Sequence, residues 1–130
     1  GGVTAPVLAI LVVDDDPGVL GLVELRLSMS HRVTASGDAW QQIASAEQAK
    51  VDLIVSDIQM PGCSGLDAYK MLRTSERSRS VPVIFMTGMD LGRARKLFPE
   101  DPLVRFVHKP IDFVLLRALI KELTGADGPI

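Results

Sequence analysis

Acidic side chains stand where apolar stretches of this chain end, and they are the residues best suited to chemistry. Asp14, Asp15 and Asp16 follow one apolar run, and Asp57 ends another. Adjacent carboxylates repel one another, so the triplet needs a nearby cation or a helix N-terminus, and Asp16 is suited to cap a helix. Oxygen ligands without thiol or imidazole are the set that Mg²⁺ prefers. The sequence therefore predicts a magnesium site.

Two further polar residues, Thr87 and Lys109, also follow apolar runs. Lys109 offers a point charge for phosphoryl oxygens, and Thr87 offers a hydroxyl donor. Asp57 is a candidate carboxylate nucleophile that would form an aspartyl phosphate. Such a transfer needs mainly positioning and charge neutralisation. A lone Asp at the end of a strand is more often a turn residue. The prediction that Asp57 is a nucleophile therefore depends on these polar groups lying close together in the folded protein.

Five apolar runs have to position these residues, and each is followed by a helical pattern. The runs are Val7–Val13, His31–Ser36, Val51–Asp57, Val81–Met86 and Val104–His108. This alternation predicts an α/β, doubly wound (βα)5 three-layer sandwich, with a parallel sheet between helices and right-handed crossovers. Ligands bind such sheets at the carboxyl ends of the strands, where the polar residues stand.

Two of the predicted helices carry specific expectations. One runs from Asp38 to about Lys50, with Trp40 as a packing residue near its start. The last begins after Asp112 and ends near Leu123. Its predicted inward residues are Val114, Leu115, Ala118 and Leu119. No second metal-ligating residue lies at a suitable spacing from His31, so we expect a structural role for it.

Length and composition favour one ordinary domain. The 130 residues are 47% hydrophobic with a net charge of −2, which provides no general basic field for nucleic acid. The single cysteine, Cys63, excludes an internal disulfide and suits a reducing cytoplasm, and no run is long enough to span a membrane. We expect leader residues at 1–6, the domain at 7–124 and a tail or linker at 125–130. The Gly1-Gly2 start favours an added leader or the edge of a fragment.

The chain resembles the receiver domain of two-component response regulators from about Leu8 to Leu123. Each matching block is weak alone, but all four in order on alternating βα units are specific. The blocks are Val13-Asp14-Asp15-Asp16, Ser56-Asp57-Ile58-Gln59-Met60-Pro61-Gly62, Thr87-Gly88 and Lys109-Pro110. The resemblance implies a flavodoxin-like fold with its five-stranded parallel sheet in the order 2-1-3-4-5.

The resemblance also implies a metal-binding set. Asp57 would be the phosphoacceptor. Asp15, Asp57 and the main-chain carbonyl of Gln59 would bind Mg²⁺, with Mn²⁺ able to substitute. Asp14 would act mostly through water.

The resemblance also implies which residues would contact the phosphoryl group and which would move when the domain is phosphorylated. Lys109 would contact the phosphoryl group, and Thr87 would move its hydroxyl toward it. Phe106 stands at the family's switch aromatic, and the Lys109-Pro110 bond is expected to be cis.

The function implied by the resemblance is a phosphorylation-activated signalling switch. A histidine kinase or a phosphotransfer protein would supply the phosphoryl group. The domain would not be an enzyme in the ordinary sense, although it would assist its own phosphorylation and dephosphorylation. Further partners would be an output domain of the same full-length chain, or a second copy bound through the helix 4–strand 5–helix 5 face. Nucleic acid and membrane are not expected as direct partners.

Three alternatives compete with this interpretation. A receiver-like interaction module without phosphorylation remains open, because Leu97–Val104 departs from the family's usual Gly-Ala pair before the fifth strand. A phosphohydrolase would want a second acid two residues after Asp57, where Gln59 stands. A flavin-binding role is disfavoured because the aspartate triplet would repel a flavin phosphate.

Overall fold

A parallel sheet forms the centre of the computed structural model, which describes residues 6–37, 50–60 and 63–130. Its strands are β1 (Ala9–Val13), β2 (Arg32–Ser36), β3 (Leu53–Asp57), β6 (Val83–Thr87) and β7 (Val104–His108). Two short strands, β4 (Gln59–Met60) and β5 (Cys63–Ser64), form a separate antiparallel hairpin. The sheet order is β2-β1-β3-β6-β7, with every pairing parallel. Counted among the sheet strands alone, this is 2-1-3-4-5, so the predicted flavodoxin-like fold is confirmed.

The central strands are buried because helices cover both faces of the sheet. All of β6 is buried, and β3 is buried except at its last residue, Asp57. Such continuous burial is typical of parallel sheets covered by helices and explains why these runs lack polar alternation. The edge strand β2 has no fully buried residue. Strand β3 therefore runs through the buried interior and places Asp57 at the carboxyl end of the sheet.

Four helices are described: α1 (Pro17–Leu27), α2 (Gly65–Thr74), α3 (Leu91–Lys96) and α4 (Phe113–Thr124). Their N-caps are Asp16, Ser64, Asp90 and Asp112, each accepting a backbone N–H of the first turn. Helices α2 and α3 pack on one face of the sheet, and α1 and α4 on the other. The helix predicted from Asp38, with Trp40, lies outside the described residues.

None of the helices in the described ranges is both long and apolar enough to cross a membrane.

The inward face predicted for α4 is wrong for Val114, Leu115 and Ala118, whereas Leu119 packs against the core as predicted. Val114 is 82% exposed and Leu115 is 43% exposed, whereas Leu116 and Ile120 are buried. Ala118 is exposed and Leu119 is only partly buried. The helix begins with four apolar residues in a row, Phe113–Leu116, so its pattern is compatible with more than one rotation about the helix axis. The rotation is set by packing on the sheet, which the pattern alone does not specify.

The side chain of His31 has a structural role. It is 7% exposed, and its Nδ1 accepts the Leu8 N–H at 3.1 Å. An acceptor nitrogen carries no proton, so the bond requires the neutral ring. Burial lowers the pKa of His31 below its ordinary value of about 6.5.

We predict that His31 makes stability depend on pH. As pH falls below about 6.5, the unfolded chain binds a proton that folded His31 resists, so the free energy of unfolding falls. This contribution is complete above the unfolded pKa and is lost below it. Urea unfolding between about pH 7.5 and pH 5 should show a steeper loss for wild type than for His31→Asn, which keeps an acceptor that does not titrate. Equal slopes would contradict the prediction.

The last residues of the chain pack against α1. Arg26 Nη2 donates to the Ile130 carbonyl at 2.8 Å, and Ser30 Oγ donates to the Pro129 carbonyl at 2.6 Å. Ala126 is 1% exposed within the core that α1 and α4 share. At Gly128 the approach is so close that an added Cβ would lie 2.6 Å from Ser30 Cβ and Oγ.

We predict opposite effects for two Gly→Ala changes. Gly128→Ala should lower the free energy of unfolding by about 1–2 kcal/mol, because the new methyl group displaces the packed segment. Gly21→Ala should raise it by about 0.5–1 kcal/mol, because Gly21 lies inside α1 with open space around its Cβ position. Chemical denaturation of both variants is the measurement, and the same sign of change in both would contradict the packing described for Gly128.

Candidate functional site

One lysine holds two carboxylates at the carboxyl end of the sheet. Lys109 Nζ lies 2.8 Å from Asp14 Oδ2 and 3.0 Å from Asp57 Oδ2. Asp14 follows β1, Asp57 ends β3, and Lys109 follows β7. Because β6 lies between β3 and β7, the long lysine side chain has to reach past it. Three sequence-distant residues are thus brought together by the strand order.

The charge of Lys109 is stabilised by this arrangement. Burial alone would lower the pKa of Lys109, but its contacts with Asp14 and Asp57 outweigh burial and raise it. The lysine is therefore protonated at neutral pH. Asp14 is fully buried, and a buried carboxylate needs such a partner to remain charged.

The buried oxygen of Asp14 has an ion-pair partner but no hydrogen-bond donor. The distance from Asp14 Oδ2 to Lys109 Nζ is short, yet its direction is not that of a hydrogen bond, so we describe this contact as an ion pair. The other oxygen, Oδ1, accepts the Asp16 N–H at 2.9 Å. Oδ2 therefore keeps unused capacity for a cation inside the site.

A third carboxylate completes a possible cation site. Asp14, Asp15 and Asp57 each offer an oxygen, and the three oxygens lie within 4.8 Å of one another. Asp14 is buried, Asp57 partly buried and Asp15 exposed, so the group opens to solvent on one side. Carboxylate oxygens with an open side fit a hard divalent cation that keeps several waters. The residue set therefore fits the predicted Mg²⁺.

The segment after Asp57 is held by a close backbone approach. Gly65 N–H donates to the Ile58 carbonyl at 2.6 Å, and a Cβ on Gly65 would lie 2.7 Å from that oxygen. Only glycine fits such an approach without a shift. Gln59, at the start of this hairpin, donates its backbone N–H to Asp57 Oδ1 at 3.1 Å.

The two predicted switch residues lie on one face of the sheet. Thr87 is buried at the end of β6, and its Oγ1 accepts the Met89 N–H at 2.9 Å. Phe106 is partly buried, with its ring centroid 5.7 Å from Phe85 and 5.5 Å from Phe98. The Lys109-Pro110 bond is cis, as the resemblance implied.

A polar network beside these aromatic rings was not predicted. Tyr69 Oη and Arg73 Nε both donate to Asp101 Oδ2, at 2.7 and 2.8 Å. Burial opposes ionisation of Asp101, but hydrogen bonds from Arg73, Leu103 and Tyr69 outweigh it and lower the pKa of this carboxyl. Tyr69 also packs edge-on against Phe98. Tyr69 and Arg73 lie one turn apart on α2, but Asp101 is distant from both in sequence, so no local pattern indicates the network.

Comparisons with known proteins agree with this fold. The response regulator receiver domain family matches residues 10–121. The response regulator PleD of Caulobacter vibrioides is 33% identical over 88% of this chain, which spans 26% of PleD. The DNA-binding dual master transcriptional regulator RpaA of Synechocystis is 35% identical over 88% of this chain, which spans 48% of RpaA.

A solved structure is also similar. The receiver domain of a sensor histidine kinase from Pseudomonas aeruginosa, with a magnesium ion coordinated in its active-site cleft, is 28% identical. The match covers 93% of this chain and all of that one, with a TM-score of 0.81. This chain belongs to the response regulator receiver domain family. Such a domain is a phosphoacceptor rather than a conventional enzyme.

We predict that Mg²⁺ stabilises the folded protein through Asp15. A ligand that binds only the folded state raises the unfolding temperature, so wild type should show an increase with Mg²⁺. Asp15→Asn should lose this increase. Asp16→Asn should retain it, because Asp16 caps α1 and asparagine also caps helices. Thermal unfolding with and without Mg²⁺ is the measurement, and an equal increase in both variants would exclude Asp15 as a ligand.

Proposed function

We propose that this domain is a phosphorylation-activated switch of a two-component system, with Asp57 as its phosphoacceptor. The observation that carries the proposal is Lys109, which lies between Asp14 and Asp57 with Asp15 close by. A histidine kinase or a phosphotransfer protein supplies the phosphoryl group. The single cysteine, Cys63, is in keeping with exchange in the cytoplasm.

The transfer forms one bond and breaks one bond. A carboxylate oxygen of Asp57 bonds to phosphorus, while the bond from phosphorus to the donor's imidazole nitrogen breaks, and that nitrogen keeps the electron pair. In the later hydrolysis, water bonds to phosphorus and the Asp57–phosphorus bond breaks. The products are the carboxylate of Asp57 and inorganic phosphate, with the released proton passing to solvent.

The residues around Asp57 assist both steps by neutralising charge. Lys109, already within 3.0 Å of Asp57, pairs with the phosphoryl oxygens. Asp14, Asp15, Asp57 and the main-chain carbonyl of Gln59 are the groups that we propose hold the cation. Mg²⁺, or Mn²⁺ in its place, supplies further positive charge when bound. The magnesium in the Pseudomonas receiver supports this assignment.

The phosphorylated state then acts through Thr87 and Phe106. The Thr87 hydroxyl accepts from Met89 and retains its own proton, which it can donate to a phosphoryl oxygen. Phe106 lines a groove of about 950 Å³ between α3 and α4, together with Leu115 and Leu119. This groove lies on the face formed by α3, β7 and α4, which correspond to helix 4, strand 5 and helix 5 in the family's numbering. We propose that an output domain or a second copy binds this face.

We predict that Asp57 takes up one phosphoryl group from acetyl phosphate in the presence of Mg²⁺. Asp57→Asn should take up none, because the amide oxygen is a poor nucleophile. Asp52→Asn should react like wild type, because Asp52 acts as an acceptor for the Ala9 N–H and asparagine supplies the same acceptor. Intact-protein mass spectrometry, with a Mg²⁺-free control, is the measurement.

Two outcomes of this experiment would contradict the proposal. Uptake that survives in Asp57→Asn would exclude Asp57 as the acceptor. Beryllofluoride is an anion that stands in for the phosphoryl group. A wild type that neither reacts with acetyl phosphate nor binds beryllofluoride would favour an interaction module that works without phosphorylation.

A further inference from the structure

His108 stands beside both predicted switch residues. It ends β7, and the register pairs it with Thr87 of β6. Side chains two apart on a strand share a face, so Phe106 and His108 form one column and Phe85 and Thr87 form the next. The rings of Phe85 and Phe106 are stacked within this pair of columns. His108 is therefore the lateral neighbour of Thr87.

The imidazole of His108 bonds to the turn that follows Thr87. Its Nε2 lies 3.2 Å from the Gly88 carbonyl oxygen, and since a carbonyl only accepts, the Nε2–H donates. Two other bonds hold this turn, from Lys109 N–H to the Thr87 carbonyl and from Met89 N–H to Thr87 Oγ1. Both of those bonds use backbone donors. Of the three, only the bond from His108 depends on a donor side chain.

Packing at Gly88 does not replace this hydrogen bond. Gly88 is exposed, and a Cβ added to it would meet nothing within 4 Å. No side-chain packing at Gly88 therefore holds this part of the turn in place of the bond from His108.

The sheet order decides which movement the bond opposes. Strand β6 lies between β3, which ends in Asp57, and β7, which ends in His108. Asp57 is paired in register with Met86, the residue before Thr87. A movement of the Thr87 turn toward Asp57 is thus a movement away from His108. The bond to Gly88 has to lengthen when Thr87 approaches a phosphoryl group on Asp57.

We propose that His108 is a positioning residue that holds the Thr87–Met89 turn in its unphosphorylated arrangement. This inference rests on the proposed function, since the opposing pull comes from a phosphoryl group on Asp57. An interaction made in one of two states favours that state. His108 thus lowers the affinity of the site for a phosphoryl group or its mimic, and it does so without touching the group.

Two variants separate the hydrogen bond from the shape of the side chain. His108→Phe keeps a ring and removes the donor, whereas His108→Gln keeps an N–H donor at a similar reach. Calorimetric titration of beryllofluoride in the presence of Mg²⁺ should show about three- to tenfold tighter binding for His108→Phe, which is the size expected for one lost hydrogen bond. His108→Gln should bind like wild type. Affinity for Mg²⁺ alone should be unchanged in both variants, because His108 is not a ligand.

The outcomes distinguish the inference from the function on which it rests. Equal or weaker beryllofluoride binding by His108→Phe would overturn the role of His108, as would tighter binding by His108→Gln. A change in Mg²⁺ affinity would also overturn it, because it would indicate a general disturbance of the site. A wild type that neither binds beryllofluoride nor takes up a phosphoryl group would contradict the proposed function, and the role of His108 with it.

Discussion

The ion pair between Lys109 and the buried carboxylate of Asp14 is the constraint on which the site depends. Asp14 has no exposed surface, and an unpaired charge there would cost several kcal/mol by the usual penalty for buried ions. Lys109 also reaches Asp57, so one cation ties together the ends of three strands. The parallel sheet, whose strands all have their carboxyl ends on one side, brings these residues within reach of a single lysine.

The same arrangement leaves the site short of positive charge. Three carboxyl groups, those of Asp14, Asp15 and Asp57, share a single lysine, and Asp14 Oδ2 has no hydrogen-bond donor. Rigid neighbours hold these oxygens in place, since β3 is buried and Gly65 closes the hairpin after Asp57. A divalent cation relieves the repulsion, and a phosphoryl group then meets charges that are already positioned. The proposed binding of both ligands thus depends on side chains that the fold itself brings together.

Sequence patterns predicted the structure correctly where continuous burial of a strand or capping of a helix involves only neighbouring residues. The apolar runs, the Asp16 cap of α1, the start of α4 after Asp112, and the strand order implied by the family resemblance all match the structure. Sequence patterns failed where packing between distant segments of the chain determines the position of a side chain. The rotation of α4 buries Leu116 rather than Val114, because several apolar residues compete at its start. The bond from His108 to Gly88 and the network around Asp101 likewise join residues with no local signal.

Identification of the phosphorylated residue tests the account most directly. Sodium borohydride reduces an acyl phosphate on aspartate to homoserine, so treatment after phosphorylation marks the acceptor permanently. Peptide sequencing by mass spectrometry should then find homoserine at position 57, and aspartate unchanged at positions 14 and 15. Homoserine at Asp14 or Asp15 instead, or its absence at position 57 in protein that had gained a phosphoryl group, would contradict the account.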